Sequence, residues 1–501
     1  MIVSGVDGDP KPTHFVLVPF LAQGHVIPMT DLGLLLASRG ATVSLITTPV
    51  NAARIRTTID RAAAAGLPIR FVELDFPCAE VGMPEGFENV DVLTTHKQIQ
   101  YGQDFFKATA LLQRPLEHYI EQQSPRPSCI IADLCHPWTR HVARNLRLPR
   151  LTFFSICCFT LLSFHNIWCF KVLDGVKDDK EPFEIPGLEQ RILVTKAEAP
   201  GMFGEWEEMA EEVRQAEFEA DGIVANTFEA MEAAYIAGYA EAMQKQVWSV
   251  GPFLLGCTPA FSDKAARGNR AVVDVPQCLS WLDSKEAISV VYASFGTLTN
   301  MKPAQLMEIG SGLEAAGHPF VLVIKDGERS REVEEWAAEL EEKVGPSKAL
   351  LIRGWAPQAV ILSHPAVGAF ITHSGWNSTL ESITAGVPMI TWPHFGDQFL
   401  NERLTVEVLE IGVSLGVKVP MSWTDLEEQG PVVPRDAVEE AVRSLLDDGH
   451  EKGKKMRERA RELREKAKEA MAEGGSSYLN MAHLIEHFAQ NDKKREEVNG
   501  D

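Results

Sequence analysis

The sequence has no C-x-x-C pair among its eight cysteines (78, 129, 135, 157, 158, 169, 257 and 278) and no histidine cluster at zinc spacing. That excludes the usual structural zinc site and gives no sign of a disulfide framework, so reduced, mostly buried thiols are expected. Positive charge is scarce: 48 Lys and Arg stand against 70 Asp and Glu, for a net charge of −22. Such a chain is repelled by nucleic-acid phosphates and anionic lipid unless a basic patch compensates. The most basic stretch, Lys452 to Lys468, is interleaved with Glu458, Glu462 and Glu465 at helical spacing and reads as a solvated helix face laced with ion pairs. No nucleic-acid partner is expected. The longest apolar run, Leu151 to Phe164, is broken by Thr152, Ser155, Thr160 and Ser163, and reads as buried core rather than a membrane span. The N-terminal MIVSGVDGDPKP has no apolar core of signal-peptide length, which points to the cytosol. With 37 Gly and 29 Pro in 501 residues, collagenous and low-complexity chains are excluded.

What is present suits large cores: 45% of residues are hydrophobic and 24% charged. At roughly 150 residues per domain the length suggests two or three domains. The N-terminal pattern is an apolar run, His14 to Phe20, a turn at Gln23-Gly24-His25, a helical stretch from Met29 to Ser38 stopped by Gly40, and a second strand-like run, Ala41 to Thr48. That is a β-α-β unit. Further runs at Ile69–Leu74, Cys129–Ala132 and Leu151–Phe154, spaced widely enough for helices, predict a parallel sheet covered on both faces. From Gly251 to Pro276 periodicity is lost and a linker is expected. Beyond it the alternation resumes, with strands at Ser289–Phe295, Phe320–Lys325, Ala349–Arg353, Val367–Thr372 and Met389–Trp392. The expectation is α/β: two doubly wound, Rossmann-like domains, 1–250 and 277–475, facing across a cleft, with a closing helix at 476–490.

The most informative segment is VGAFITHSGWNSTLESITAGVPMITWP. An apolar strand ends at His373, the chain turns at Ser374-Gly375, and a helix begins at Asn377-Ser378 and stops at Gly386. A helix N-terminus at the carboxyl end of a strand presents free N–H groups and positive dipole to an anion. His373, Asn377 and Ser378 can add donors there, and Glu381, on the same helical face, can accept from a ribose hydroxyl. A capped helix with a core histidine fits that fragment equally well. At Gly354-Trp355-Ala356-Pro357-Gln358 an indole before a proline-fixed turn can stack a base, with backbone groups reading its edge, or can simply be buried. The segment from Trp392 to Gln398 ends in an acid beside an amide, a pair suited to a polyhydroxylated ligand. There is no G-x-x-x-x-G-K-[ST] and no G-x-G-x-x-G after the first strand, so ATP hydrolysis and nicotinamide chemistry lack their usual anchors.

The 44 residues from Trp355 to Gln398, WAPQAVILSHPAVGAFITHSGWNSTLESITAGVPMITWPHFGDQ, closely resemble the signature box of plant secondary-product UDP-glycosyltransferases. The resemblance extends to the early QGH, to CIIAD at Cys129–Asp133, the ANTFEAME stretch from Ala225, CLSWLD at Cys278–Asp283, VVYASFGT at Val290–Thr297 and EGGSSY at Glu473–Tyr478. It implies a GT-B fold, a UDP-sugar donor held by the C-terminal domain, an acceptor in the N-terminal domain and a last helix crossing back to that domain. It also implies Trp355 at the uracil, Ala356 among the donor contacts, Gln358 and Glu381 near the ribose, and His373, Asn377, Ser378 and Thr297 at the diphosphate. Trp376, Asp397 and Gln398 are implied at the sugar, where glutamine goes with glucose. Ser374 replaces the family's usual Cys, and Phe154-Ser155-Ile156 departs from the common His-Gly-Thr.

His25, following the first strand and a glycine, is the candidate base, since neutral imidazole has the right pKa to take a hydroxyl proton. Asp133, ending a later strand, can hold the other ring nitrogen, or can instead cap a helix. Candidate acceptor contacts are Leu21, Phe87, Phe154, Ser155, Phe203 and His394, suited to a flavonoid, phenolic, terpenoid or steroid. No metal is expected, because the only D-x-D, Asp7-Gly8-Asp9, lies in the polar N-terminal tail. The sequence thus predicts an inverting, metal-independent transferase using UDP-glucose as co-substrate, with no other cofactor, on a small lipophilic acceptor, as a monomer. A non-catalytic UDP-sugar or metabolite-binding protein and a UDP-sugar epimerase are the alternatives.

Overall fold

The computed structural model describes residues 12–95, 99–199, 206–256, 267–268, 271–298, 301–421 and 433–499. Strands β1 (His14–Val18), β2 (Thr42–Thr47), β3 (Ile69–Glu73), β4 (Cys129–Asp133) and β5 (Arg150–Phe154) form the body of the first sheet. A short antiparallel pair, β6 (Pro182–Glu184) and β7 (Leu193–Thr195), follows. Then β8 (Gly222–Ala225) and β9 (Val247–Ser249) complete a parallel sheet ordered β3-β2-β1-β4-β5-β8-β9. β1, β4 and β5 are buried along their whole length, as strands covered by helices on both faces must be.

The second sheet repeats this plan. β10 (Val290–Ser294), β11 (Phe320–Ile324), β12 (Ala349–Arg353), β13 (Val367–Thr372), β14 (Met389–Thr391) and β15 (Gly412–Ser414) run parallel in the order β12-β11-β10-β13-β14-β15. In each sheet the first strand lies inside, so the winding reverses between β1 and β4 and between β10 and β13. Those reversals open crevices at the carboxyl ends of the strands, where doubly wound folds bind ligands. Five strands went unread in the sequence, β6, β7, β8, β9 and β15, because runs of three or four residues carry too little pattern.

One local reading changes. Gln23-Gly24-His25 is the first turn of a helix, Gln23–Ser38, and not a turn before one. The Asp91 carboxylate accepts from the Gln23 backbone N–H at 2.9 Å, supplying from a distant segment the cap that Ala22 lacks. Pro28 sits inside this helix and removes the N–H that would have bonded the Gly24 carbonyl.

The C-terminal helix runs Ser476–Asn499, beyond the expected 490, and lies against the first sheet. Met481, Leu484 and Phe488 are buried with Phe15, Leu17 and Trp248. The Phe488 ring stands edge-on to Phe15 at 5.8 Å, and Ser477 Oγ donates to the Gly251 carbonyl at 2.6 Å. Of the expected 251–276 linker, residues 257–266 and 269–270 lie outside the described residues, as does the Asp7-Gly8-Asp9 tail.

Truncating Phe488 to Ala removes a fully packed ring and leaves a cavity, which costs about 3–5 kcal/mol. The urea midpoint of the transition reported by Trp248 should fall accordingly. Leu479→Ala, at an exposed position of the same helix, should change it by less than about 0.5 kcal/mol.

Candidate active site

At the first reversal, β1 and β4 are neighbours in register, with Val18 opposite Ala132. The helix that follows β1 therefore delivers His25 beside Asp133, the last residue of β4. His25 Nδ1 and Asp133 Oδ2 are 2.8 Å apart, and the other carboxylate oxygen accepts from the Cys135 N–H at 2.9 Å. Asp133 is fully buried, whereas the His25 side chain is 22% exposed, so its remaining nitrogen is the accessible end of the pair. Burial works against charge on the ring, but Asp133, with Asp397 and Asp91 further off, outweighs it and holds His25 above its ordinary pKa. Burial likewise opposes the Asp133 charge, yet His25 and the Cys135 N–H keep this carboxyl below the usual range. The ligand atoms of His25, Asp133 and Cys135 lie within 4.8 Å of one another. Burial and the adjacent carboxylate push the Cys135 thiol far up, which favours its protonated form.

Around the exposed edge of His25 stands an aromatic wall. Phe20 meets the imidazole edge-on at 5.2 Å and stacks on Phe106 at 5.4 Å, and Phe106 meets Trp206. Leu21 and Phe87 belong to the same apolar cluster, with Phe105 and Met83.

The second reversal carries the polar half. Ser294 lies opposite Thr372, so Thr297 and His373 leave adjacent strand ends. Ser374 adopts a left-handed backbone (φ 62°) and Gly375 starts the helix Trp376–Ala385. A Cβ at Gly296 or Gly375 would collide with the His373 ring, so glycine is required on both sides of it. Burial, reinforced by Lys325, pushes His373 down to about 3, which leaves a neutral imidazole. Its Nδ1 is buried with no partner among the described residues, beside a helix N-terminus. That combination fits an anionic oxygen.

Gln358 Nε2 donates to Ser378 Oγ at 3.0 Å and to Glu381 Oε2 at 2.8 Å, gathering three expected donor residues beside the half-buried Trp355 and the buried Ala356. Gln398 folds its amide oxygen back onto the His394 N–H at 2.8 Å, leaving its amide nitrogen to donate elsewhere. Asn401 Nδ2 holds Asp397 Oδ2 at 2.6 Å, and burial raises Asp397 to about 6.

The two halves are joined at the site itself. Asn377 Nδ2 donates to the Gly24 carbonyl, the group Pro28 left without a helical partner. Trp376 Nε1 donates to the Asn226 carbonyl at 2.9 Å, so its indole braces the cleft.

The family described as "UDP-glucoronosyl and UDP-glucosyl transferase" matches residues 276–445, and "Glycosyltransferase, N-terminal domain" matches 12–254. UDP-glycosyltransferase 73C3 of Arabidopsis thaliana is 44% identical over 483 residues, 95% of this chain and 96% of that one. The chain belongs to the plant UDP-glycosyltransferase family. UDP-glycosyltransferase 73C10 of Barbarea vulgaris is 43% identical over 98% of this glycosyltransferase and 99% of its own length. Among solved structures, Glycyrrhiza uralensis UGT73P12, complexed with glycyrrhetinic acid 3-O-monoglucuronide, superposes with a TM-score of 0.88 at 33% identity, covering 98% of this chain and 99% of that one. Arabidopsis thaliana UGT89C1, complexed with UDP-L-rhamnose, gives 0.71 at 27% identity, covering 96% and 100%. The architecture is thus GT-B, and the enzyme transfers sugar from a UDP donor.

Two expected acceptor contacts of the glycosyltransferase fall elsewhere. Phe154 is fully buried with its ring against Tyr239, because its side chain falls on the face of β5 covered by the helix Glu229–Met243. His394 is also fully buried, stacked on His373 at 6.3 Å with Nδ1 near Met421, on the donor side. Ser155 is buried at the end of β5, and Phe203 lies outside the described residues. Residues not foreseen include Phe20, Phe106 and Asp91. The Phe105-Phe106 pair was the available signal for the wall, but nothing local ties Asp91 to Gln23.

If Asp133 is what holds the His25 proton, Asp133→Asn should lower the His25 pKa measured by NMR titration, since burial then acts unopposed by the nearest charge. An unmoved titration would show that the pair is not electrostatically coupled.

Proposed function

We propose that this glycosyltransferase moves glucose from UDP-glucose to a hydroxyl of a small lipophilic metabolite, with inversion and without a metal ion. The N-terminal half holds the acceptor and the C-terminal half the donor. The observation that carries the reading is the His25–Asp133 pair on its own strand reversal, bonded across the cleft through Gly24 and Asn377 to the donor helix.

In this reading uracil stacks on Trp355, the ribose meets Gln358 and Glu381, and the diphosphate meets Thr297, His373, Ser378 and the helix N-terminus. The sugar lies against Asp397 and the free amide nitrogen of Gln398. The acceptor hydroxyl reaches His25 along the wall of Phe20, Phe106, Leu21 and Phe87. As its oxygen attacks the anomeric carbon, the proton passes to His25 Nε2 and the carbon–oxygen bond to UDP breaks. Displacement from the face opposite the leaving group inverts that carbon. Asp133 keeps Nδ1 protonated, aims Nε2 at the acceptor and stabilises the imidazolium. Charge on departing UDP is met by neutral donors and the helix dipole.

Quercetin, bound by Arabidopsis thaliana UGT89C1, supports a lipophilic hydroxyl acceptor. The cytosol is proposed as the compartment on the acidic composition and on seven described cysteines that are all free thiols. No helix among the described residues is long and apolar enough to cross a membrane.

The test is a panel of phenolic and aliphatic aglycones with UDP-glucose, read by mass gain in the presence and absence of EDTA. Glucosides should form equally in both. His25→Ala should lower kcat by roughly 10²–10⁴-fold with UDP affinity nearly intact, and most severely for aliphatic alcohols, whose protons leave least readily. Near wild-type turnover of an aliphatic alcohol by that variant would remove His25 from the mechanism. UDP-galactose matching UDP-glucose would overturn the donor assignment, and metal-reversible loss in chelator would overturn metal independence.

A further inference from the structure

One cation in the cleft is not used by this reading. Arg267, from the segment between the two sheets, donates through Nε at 2.9 Å and Nη2 at 2.6 Å to Asp31 on the helix Gln23–Ser38, and through Nη1 to Glu381 on the donor helix. All three side chains are nearly buried, so the pairs are little screened by water. The next residue, Gly268, is wedged between Trp355 and Ile27. Its backbone is left-handed (φ 88°), and a Cβ there would stand 2.6 Å from Trp355 Cζ2 and 2.9 Å from Ile27 Cδ1. Only glycine can lie so close against that indole. Further along, the Val272 N–H donates to the Trp355 carbonyl at 3.1 Å.

We infer that Arg267 and Gly268 form a strap seated in the nucleoside subsite, which the donor must displace. On the donor reading above, strap and donor compete for the same partners. Gly268 lies against the indole that uracil stacks on in that reading, and Arg267 holds an oxygen of the Glu381 carboxylate that a ribose hydroxyl needs. Asp31 anchors the strap from the opposite wall without touching the donor. A guanidinium bridging two carboxylates therefore ties the two walls of the cleft, and observed donor affinity is the intrinsic affinity reduced by the fraction of molecules in which the strap is seated. Arg267 thus sets donor affinity by competition, in contrast to an arginine that grips the diphosphate.

UDP and uridine titrations of the full chain by calorimetry distinguish the two. Arg267→Ala and Asp31→Asn should each bind both ligands about three- to tenfold more tightly, because the conflict is at base and ribose. UDP should also speed tryptic cleavage after Arg267 in the wild-type chain, since a displaced strap exposes that bond. Weaker UDP binding in Arg267→Ala with uridine unchanged would overturn the inference by making Arg267 a diphosphate ligand. Unchanged affinity for both ligands, or protection of the Arg267 bond by UDP, would overturn it as well. His373→Ala separates this from the donor reading: if it leaves UDP affinity intact, the donor site itself is misassigned.

Discussion

Among the side chains that join the two halves, Asn377 reaches nearest the paired imidazole: at the start of the helix Trp376–Ala385, it donates to the carbonyl of Gly24, one residue before His25. Pro28, four residues on, has no N–H to give that carbonyl, so the amide meets no competing i+4 donor there. The bond fixes the distance between the helical turn that carries His25 and the N-terminus of the helix Trp376–Ala385, the geometry on which the proposed meeting of acceptor and donor depends. The Trp376 indole on Asn226, from the neighbouring position, resists rotation about that link.

The same geometry explains why each half supplies what it does. Both sheets reverse their winding inside, and each reversal brings two loops from adjacent parallel strands to one crevice. In the first half those loops carry an imidazole and a carboxylate. In the second they carry Thr297, a neutral imidazole and a helix N-terminus. Burial acts in both places with opposite results. It is outweighed by Asp133 at His25, which retains affinity for a proton, and unopposed at His373, which stays neutral beside Lys325.

How much of this was legible follows from how far apart the cooperating residues lie. Trp355 and Gln358 follow β12 while His373, Ser378 and Glu381 lie at the end of β13 and in the helix after it, and it was the resemblance of the 44-residue segment to a family signature that grouped them. His25 and Asp133 each sit at the end of an apolar run, and the parallel pattern was enough to suggest that they meet. Phe154 and His394 misled because an aromatic residue at a strand end looks the same in the sequence whether it faces the cleft or the helical layer. Asp91 capping Gln23, and Arg267 spanning Asp31 and Glu381, join segments with no common pattern, and only the folded chain brings them together.

The helix Ser476–Asn499 has a consequence for how the protein is made. Phe488 follows Phe15 by 473 residues in the sequence, yet the two rings share one core. The first sheet therefore emerges from the ribosome with an apolar face around Phe15 and Trp248 uncovered, and it stays so while the whole second half is synthesised. During that interval this face is a surface for chaperones to shield. The N-terminal half gains its last layer only when the rest of the chain has been made, which couples the completion of one half to the delivery of the other.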